Sequence, residues 1–271
     1  MRGRHLTLAL LATAALGTSA CQTVQTTAPG AVGIERKQRM LISEEQVEAG
    51  AQEAYAQEKA KAQQQGKLNS NSALTSRVRN VAQRLIPQTG VFRSDAPNWE
   101  WEVNTLTTDD LNAYCMPGGK IMVYTGLVEK LKLSDAELAA VLGHEMAHAL
   151  REHSRERISR AYAQQLALAG VALVTGAGQN VVDLANMVAS VTFQLPHSRE
   201  QESEADIMGL ELMARAGYDP NAAVSVWKKM LQANSSGPPE FLSTHPSPQT
   251  RIQDLQALVP KVMPLYERAK S

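Results

Sequence analysis

The chain has 271 residues, room for one sizeable domain with flanking segments. Its 27 basic residues balance 27 acidic ones, which argues against a nucleic-acid binder, since such a protein carries a basic patch or a high isoelectric point. Hydrophobic residues make up 44%, ordinary for a globular protein, and scarce aromatics with abundant Ala, Leu, Glu and Gln favour helix.

Residues 1–20 differ from the rest. Arg2 and Arg4 precede an apolar run over residues 6–16, and Gly17-Thr18-Ser19-Ala20 is a small-residue exit. This order reads as a secretory signal and is too short for a comfortable membrane span. A buried N-terminal helix is the plainer alternative. Cys21 follows directly and resembles the lipidated cysteine of bacterial lipoproteins. Thr18 stands where that motif usually has Leu, and Thr-Ser-Ala also suits ordinary signal cleavage. With Gln22 next, the pattern resembles that of lipoproteins sorted to the outer membrane. The expected division is a signal peptide at 1–20, a lipidated N-terminus and polar tether at 21–40, and a folded domain at 41–271. Cys115 is the one other cysteine, so no internal disulfide forms; it reads as a small buried thiol rather than a nucleophile, with no base nearby in sequence.

Ser43 and Gln46 form a capping box that opens a helix running to about residue 65. Leu74, Val78, Val81, Ala82 and Leu85 recur at helical spacing up to Pro87. Trp99-Glu100-Trp101-Glu102-Val103 alternates like a strand with one buried face. A Pro-Gly-Gly turn at residues 117–119 leads into a second strand, Ile121-Met122-Val123-Tyr124. From Ser134 onward the pattern is helical. Residues 161–197 are rich in Ala, Gly and Val and read either as a packed hairpin of core helices or as a lid. The fold class expected is α+β, mostly helical, with a small sheet.

A second capping box, Ser134-Asp135-Ala136-Glu137, starts the helix that carries His144-Glu145-Met146-Ala147-His148. Four residues advance a helix by about 400°, so the two imidazoles point almost the same way, about 6 Å apart along the axis. That suits two ligands of one tetrahedral zinc ion. Glu145 stands where it can take a proton from a water that the metal acidifies. His153 lies five residues past His148, about 140° around the helix, and is read as a surface or supporting residue rather than a ligand. The better third ligand is Glu202, on a helix opened by Ser198 and Gln201 and closed by Gly217. Asp206, one turn on, shares its face and can accept the free ring N–H of a ligand histidine. A solvated acidic face is the plainer reading of Glu202 and Asp206 taken alone.

Four blocks in order now resemble the HtpX/BepA/LoiP-type zinc metallopeptidases, the family that includes the CaaX prenyl endoprotease. They are Asn112-Ala113-Tyr114-Cys115-Met116-Pro117-Gly118-Gly119; the His144 motif; Ser198-Arg199-Glu200-Gln201-Glu202-Ser203-Glu204-Ala205-Asp206; and Ser243-Thr244-His245-Pro246 with Arg251-Ile252. The resemblance implies one Zn2+ per chain held by His144, His148 and Glu202, with Glu145 as general base. It implies that Asn112, Pro117, Gly118 and Gly119 border the substrate cleft, and that a peptide adds to the edge of the strand after the turn. Cys115-Met116 departs from the Ala-Leu common there, which bears on side-chain preference. The chain looks most like the short, envelope-tethered members, lacking the membrane helices and helical repeats of other branches.

His245 has three readings: a donor to the tetrahedral oxyanion, a fourth zinc ligand that holds the enzyme latent, or a loop histidine without a role. Arg199 and Arg251 either pair with carboxylates near the site or form exposed salt bridges. The function expected is hydrolysis of misfolded or misassembled envelope proteins on the periplasmic side of a bacterial outer membrane. Partners are polypeptide substrates, the membrane through the lipid anchor, and envelope assembly machinery. A chaperone-like module that holds extended chains, or a purely structural zinc, are the competing readings.

Overall fold

The computed structural model describes residues 22–169, 180–233, 240–245 and 250–270. Cys21 and the export segment lie outside the described residues, as do residues 170–179 of the lid-or-hairpin segment. Strands β1 (Gln22–Val24) and β2 (Gln38–Met40) pair antiparallel. Helices α1 (Glu44–Gln64) and α2 (Ser72–Leu85) follow, then β3 (Glu102–Leu106), β4 (Ala113–Met116), β5 (Lys120–Tyr124) and short α3 (Thr125–Lys130). The rest is helical: α4 (Asp135–Leu150), α5 (His153–Ala169), α6 (Val181–Phe193), α7 (Arg199–Arg215), α8 (Asn221–Ala233), α9 (Glu240–Thr244) and α10 (Arg251–Lys270). This is the expected mostly helical α+β domain. Among the described residues no helix is long and apolar enough to cross a membrane.

The three-stranded sheet has the order β3-β5-β4, with β3 parallel and β4 antiparallel to the central β5. Successive side chains point to opposite faces. Cys115, Ile121 and Val123 therefore join a core shared with α2, α4, α7, α8 and α10, while Tyr114, Met116, Met122 and Tyr124 join one shared with α1 and α6. The sheet is buried on both faces, and β4 forms the edge beside α4. Cys115 is a buried thiol, and burial pushes its pKa well above the ordinary value. Helix α6 packs through Leu184, Ala185, Val188 and Val191, with Leu184 against Gly50 of α1.

Three expectations need correction. Residues 22–40 are not a free tether: Thr27, Val32, Ile34, Gln38 and Met40 are buried, and the backbone N–H groups of Ala31 and Val32 donate to Glu211 of α7. The early strand begins at Glu102, not Trp99. Trp99 and Trp101 stack with ring centroids 5.5 Å apart, and their indole N–H groups bond Asp95 and the Ala96 carbonyl, so their alternation reflects an aromatic pair and not a pleat. The strand after the Pro-Gly-Gly turn is interior, because β3 takes its other edge; the free edge near the site belongs to β4.

Helix α4 is the centre of the molecule. Its capping box forms as expected, and every residue from 137 to 150 is buried, so it is enclosed all round rather than along one stripe. Its approach to α7 is unusually close. A Cβ at Gly143 would lie 2.8 Å from the Gly209 carbonyl oxygen, and one at Gly209 would lie 2.7 Å from the His144 nitrogen. These contacts are with backbone and cannot yield easily. Gly209→Ala should therefore lower the melting temperature, despite the ~1 kcal/mol by which Ala favours a helix over Gly, because overpacking costs about 1–3 kcal/mol. A raised melting temperature would contradict this packing.

Candidate active site

The close crossing sets the α7 carboxylates against the α4 histidines. His144 Nε2 and His148 Nε2 lie 3.1 Å apart. Glu202 Oε2 is 3.7 Å from His144 Nε2, and Glu202 Oε1 is 3.4 Å from His148 Nε2. His245, directly after α9, completes the group: one ligand atom from each of His144, His148, Glu202 and His245 lies within 4.8 Å of the others. Each of these residues, like Glu145, is at most 4% exposed.

Polar atoms so deeply buried normally have partners. Here Glu145 Oε1, Glu202 Oε1 and His245 Nε2 have no hydrogen bond. All three atoms belong to one cluster, with His245 Nε2 only 3.5 Å from Glu145 Oε1. A cation bonded by imidazole nitrogens and a carboxylate would satisfy such a donor set, and three His with one Glu match zinc's preferences. Burial drives the pKa values of His144 and His148 well below the ordinary value, and that of His245 down to about 3. The rings are thus neutral, the form that ligates metal. Burial, with Glu202 adding to it, raises the Glu145 carboxyl well above its ordinary range, while the backbone N–H of Cys115 in β4 opposes the rise.

The supporting bonds explain the orientation. His144 Nδ1 lies 3.0 Å from Asp206 Oδ1. Arg251, at the start of α10, donates to Glu202 Oε2 (2.8 Å) and to Asp206 Oδ1 (2.6 Å) and lies over the Trp227 ring, its Cζ 3.4 Å from the centroid. Burial pushes Asp206 up to about 6 even against Arg251. Of the two arginines read from sequence, Arg251 is buried at the site and Arg199 is exposed.

The cleft residues separate. Asn112 is buried next to Leu111, whose carbonyl accepts the Phe241 N–H at the start of α9. Phe241 stacks on His245 at 4.2 Å, and the His197 N–H bonds the Thr244 carbonyl, so α9 and residues near 197 close over the cluster. Pro117 and Gly118 lie instead beside Val47, Glu48 and Ala149, at the C-terminal end of α4, while Gly119 packs against Trp101. His153 is fully buried and not on the surface. Sequence reading also missed His197, whose ring centroid is 4.0 Å from that of His148; a lone loop histidine carries no periodic signal.

A His-Glu-x-x-His helix facing a carboxylate helix defines a metallopeptidase-type centre, and the relatives of the chain agree. The pattern of Peptidase family M48 matches residues 72–259, and the chain belongs to that family. It is 31% identical over 218 residues to the mitochondrial metalloendopeptidase OMA1 of Saccharomyces cerevisiae, covering 76% of this chain and 62% of that protein. It is 43% identical over 152 residues to the OMA1 of Arabidopsis thaliana, covering 56% and 30%. The beta-barrel assembly-enhancing protease of Escherichia coli is 26% identical over 211 residues, covering 73% and 41%. The chain spans less than two thirds of the length of these curated relatives.

Removing Arg251 leaves Glu202 and Asp206 buried without the one cation that donates to both. Arg251→Met should lower unfolding free energy by about 3–5 kcal/mol in chemical denaturation, whereas an unchanged midpoint would show that the arginine is dispensable.

Proposed function

We propose that the chain is a zinc-dependent endopeptidase, with His144, His148 and Glu202 as metal ligands and Glu145 as general base. The observation that carries this reading is the convergence of those ligand atoms, with unpartnered carboxylate oxygens, on one buried point beside Glu145. Bound there, zinc supplies Lewis acidity and lowers the pKa of water toward about 7. Glu145 Oε1 accepts the proton of the attacking water and hands it to the leaving amine nitrogen. Asp206 holds the His144 ring, and Arg251 holds both α7 carboxylates in place. The edge of β4 offers main-chain groups to an extended peptide.

His245 is read as the fourth ligand of a resting, latent state. Its Nε2 sits within the ligand cluster and α9 covers the site, so a substrate carbonyl has room only when His245 withdraws. The proposed setting is a bacterial envelope, with Cys21 lipidated and misfolded or misassembled envelope proteins as substrates. The export-like residues 1–20 and the likeness to a bacterial protease named for beta-barrel assembly support it; the likeness to mitochondrial relatives leaves the compartment to experiment. The competing reading is a chaperone-like module that holds extended chains.

Cleavage of an unfolded protein by wild type, Glu145→Gln and chelator-treated wild type tests the activity. Loss of about 10²–10⁴-fold in the variant, with loss on chelation restored by zinc, is expected. Equal cleavage in all three would sink the peptidase reading, and suppression of aggregation by an inactive Glu145→Gln would favour the chaperone-like one.

A further inference from the structure

His144 reaches its supporting acid directly, but His148 does not. His148 Nδ1 lies 2.8 Å from His153 Nδ1, and His153 Nε2 lies 3.0 Å from Glu204 Oε2. The direction of this chain of bonds is set by its His148 end. His148 Nε2 faces the ligand cluster and needs a free lone pair, so Nδ1 carries the hydrogen. His153 Nδ1 then accepts, and His153 Nε2–H donates to the Glu204 carboxylate. One assignment of tautomers satisfies every donor and acceptor along the path.

The Glu204 end is held from two sides. Arg151 Nη2 donates to Glu204 Oε1 at 2.9 Å. Arg36 donates to both Glu204 oxygens, at 3.0 and 2.8 Å, and to both Glu156 oxygens, at 2.6 and 2.9 Å. Two-point contacts of this kind fix direction as well as charge. Burial would raise the Glu204 carboxyl, but His153, Arg36 and Arg151 outweigh it and hold the group well below the ordinary range. Arg36 precedes β2, in the segment that reads from sequence as a tether. Gln38 locks the same segment down by donating to the Arg151 carbonyl at 2.6 Å, and Arg151 donates back to the Arg36 carbonyl at 3.0 Å.

A second cation is the other use of this ring cluster, since His148, His153 and His197 each bring one nitrogen within 4.8 Å of the others. Two observations oppose it. Arg157 Nη1 lies 3.3 and 3.1 Å from the two ring nitrogens of His197, setting a positive charge where a metal would need a lone pair. The facing nitrogens of His148 and His153 are already joined by a hydrogen bond.

We propose that His153, Glu204 and Arg36 are positioning residues for His148, so that the N-terminal segment is a structural part of the metal site. The inference rests on the metallopeptidase reading only in taking His148 as a ligand. It predicts that a change at Arg36, remote in sequence from every ligand, weakens metal binding through His153.

The test measures zinc affinity by chelator competition on the full chain and on His153→Phe, His153→Asn, Arg36→Met and the Arg36→Met/His153→Phe double variant. Histidine-labelled NMR of the zinc-loaded wild type reads the tautomers without any substitution. His153→Phe should weaken zinc binding by about 10–100-fold, the range for loss of a ligand's supporting partner. His153→Asn, whose side-chain oxygen can accept from His148 Nδ1–H, should recover part of that. Arg36→Met should weaken binding in the wild-type background and add nothing in the His153→Phe background, where the path is already cut. NMR should show His148 protonated at Nδ1 and His153 at Nε2. Reversed tautomers, unchanged affinity in both single variants, or an equal Arg36→Met loss in both backgrounds would each overturn the proposal. A wild-type chain that takes up no zinc would instead overturn the metallopeptidase reading on which it stands.

Discussion

The structure depends on one constraint: ionisable groups crowded into a buried centre must satisfy each other. His144, Glu145, His148, Glu202, Asp206, His245 and Arg251 are all buried around α4. Isolated charges there would be prohibitive, so the arrangement works only as a set. Arg251 donates to both α7 carboxylates, the histidines stay neutral, and unpartnered Glu145 Oε1, Glu202 Oε1 and His245 Nε2 gather in one cluster. The packing serves this. Gly143 and Gly209 let two helices touch backbone to backbone, which carries Glu202 to the histidines. A larger residue at either position would push the two helices, and with them Glu202 and the histidines, apart.

The ligand helix was legible because short-range rules govern it. The capping box at Ser134 sets the register, and the four-residue spacing puts His144 and His148 together. Glu202 and Asp206 followed by the same logic from the box at Ser198. The misreadings arose where tertiary contacts decide. Angular position on a straight helix left His153 either on the surface or in a supporting place; the surface alternative fails because α4 ends at Leu150 and α5 starts at His153, so the helix that the angle assumes does not continue. The polar segment 22–40 has the composition of a linker, yet half-buried Arg36 and buried Gln38 are long enough to reach acids of α5 and α7. No local pattern announces such pairs. The strand edge was misplaced for a similar reason, because sheet order is set by which strands find each other and not by their sequence neighbours.

The site as it stands is closed. His245 shares the ligand cluster, Phe241 stacks on it, and α9 is pinned to the residue before Asn112. Two layers of support then have different tasks. Asp206 bonds His144 and Arg251 bonds both carboxylates on the α7 side, while His153 and Glu204 form the bonded path from His148 toward the N-terminal segment.

The central claim is that three histidines and Glu202 surround one metal in the resting enzyme. X-ray absorption at the zinc edge measures this directly. The account predicts three imidazole nitrogens and carboxylate oxygen around zinc in the wild type, falling to two imidazoles with an added light atom in His245→Ala. Two imidazoles in both proteins would contradict the latent arrangement, and sulfur in the zinc shell would contradict the ligand set itself.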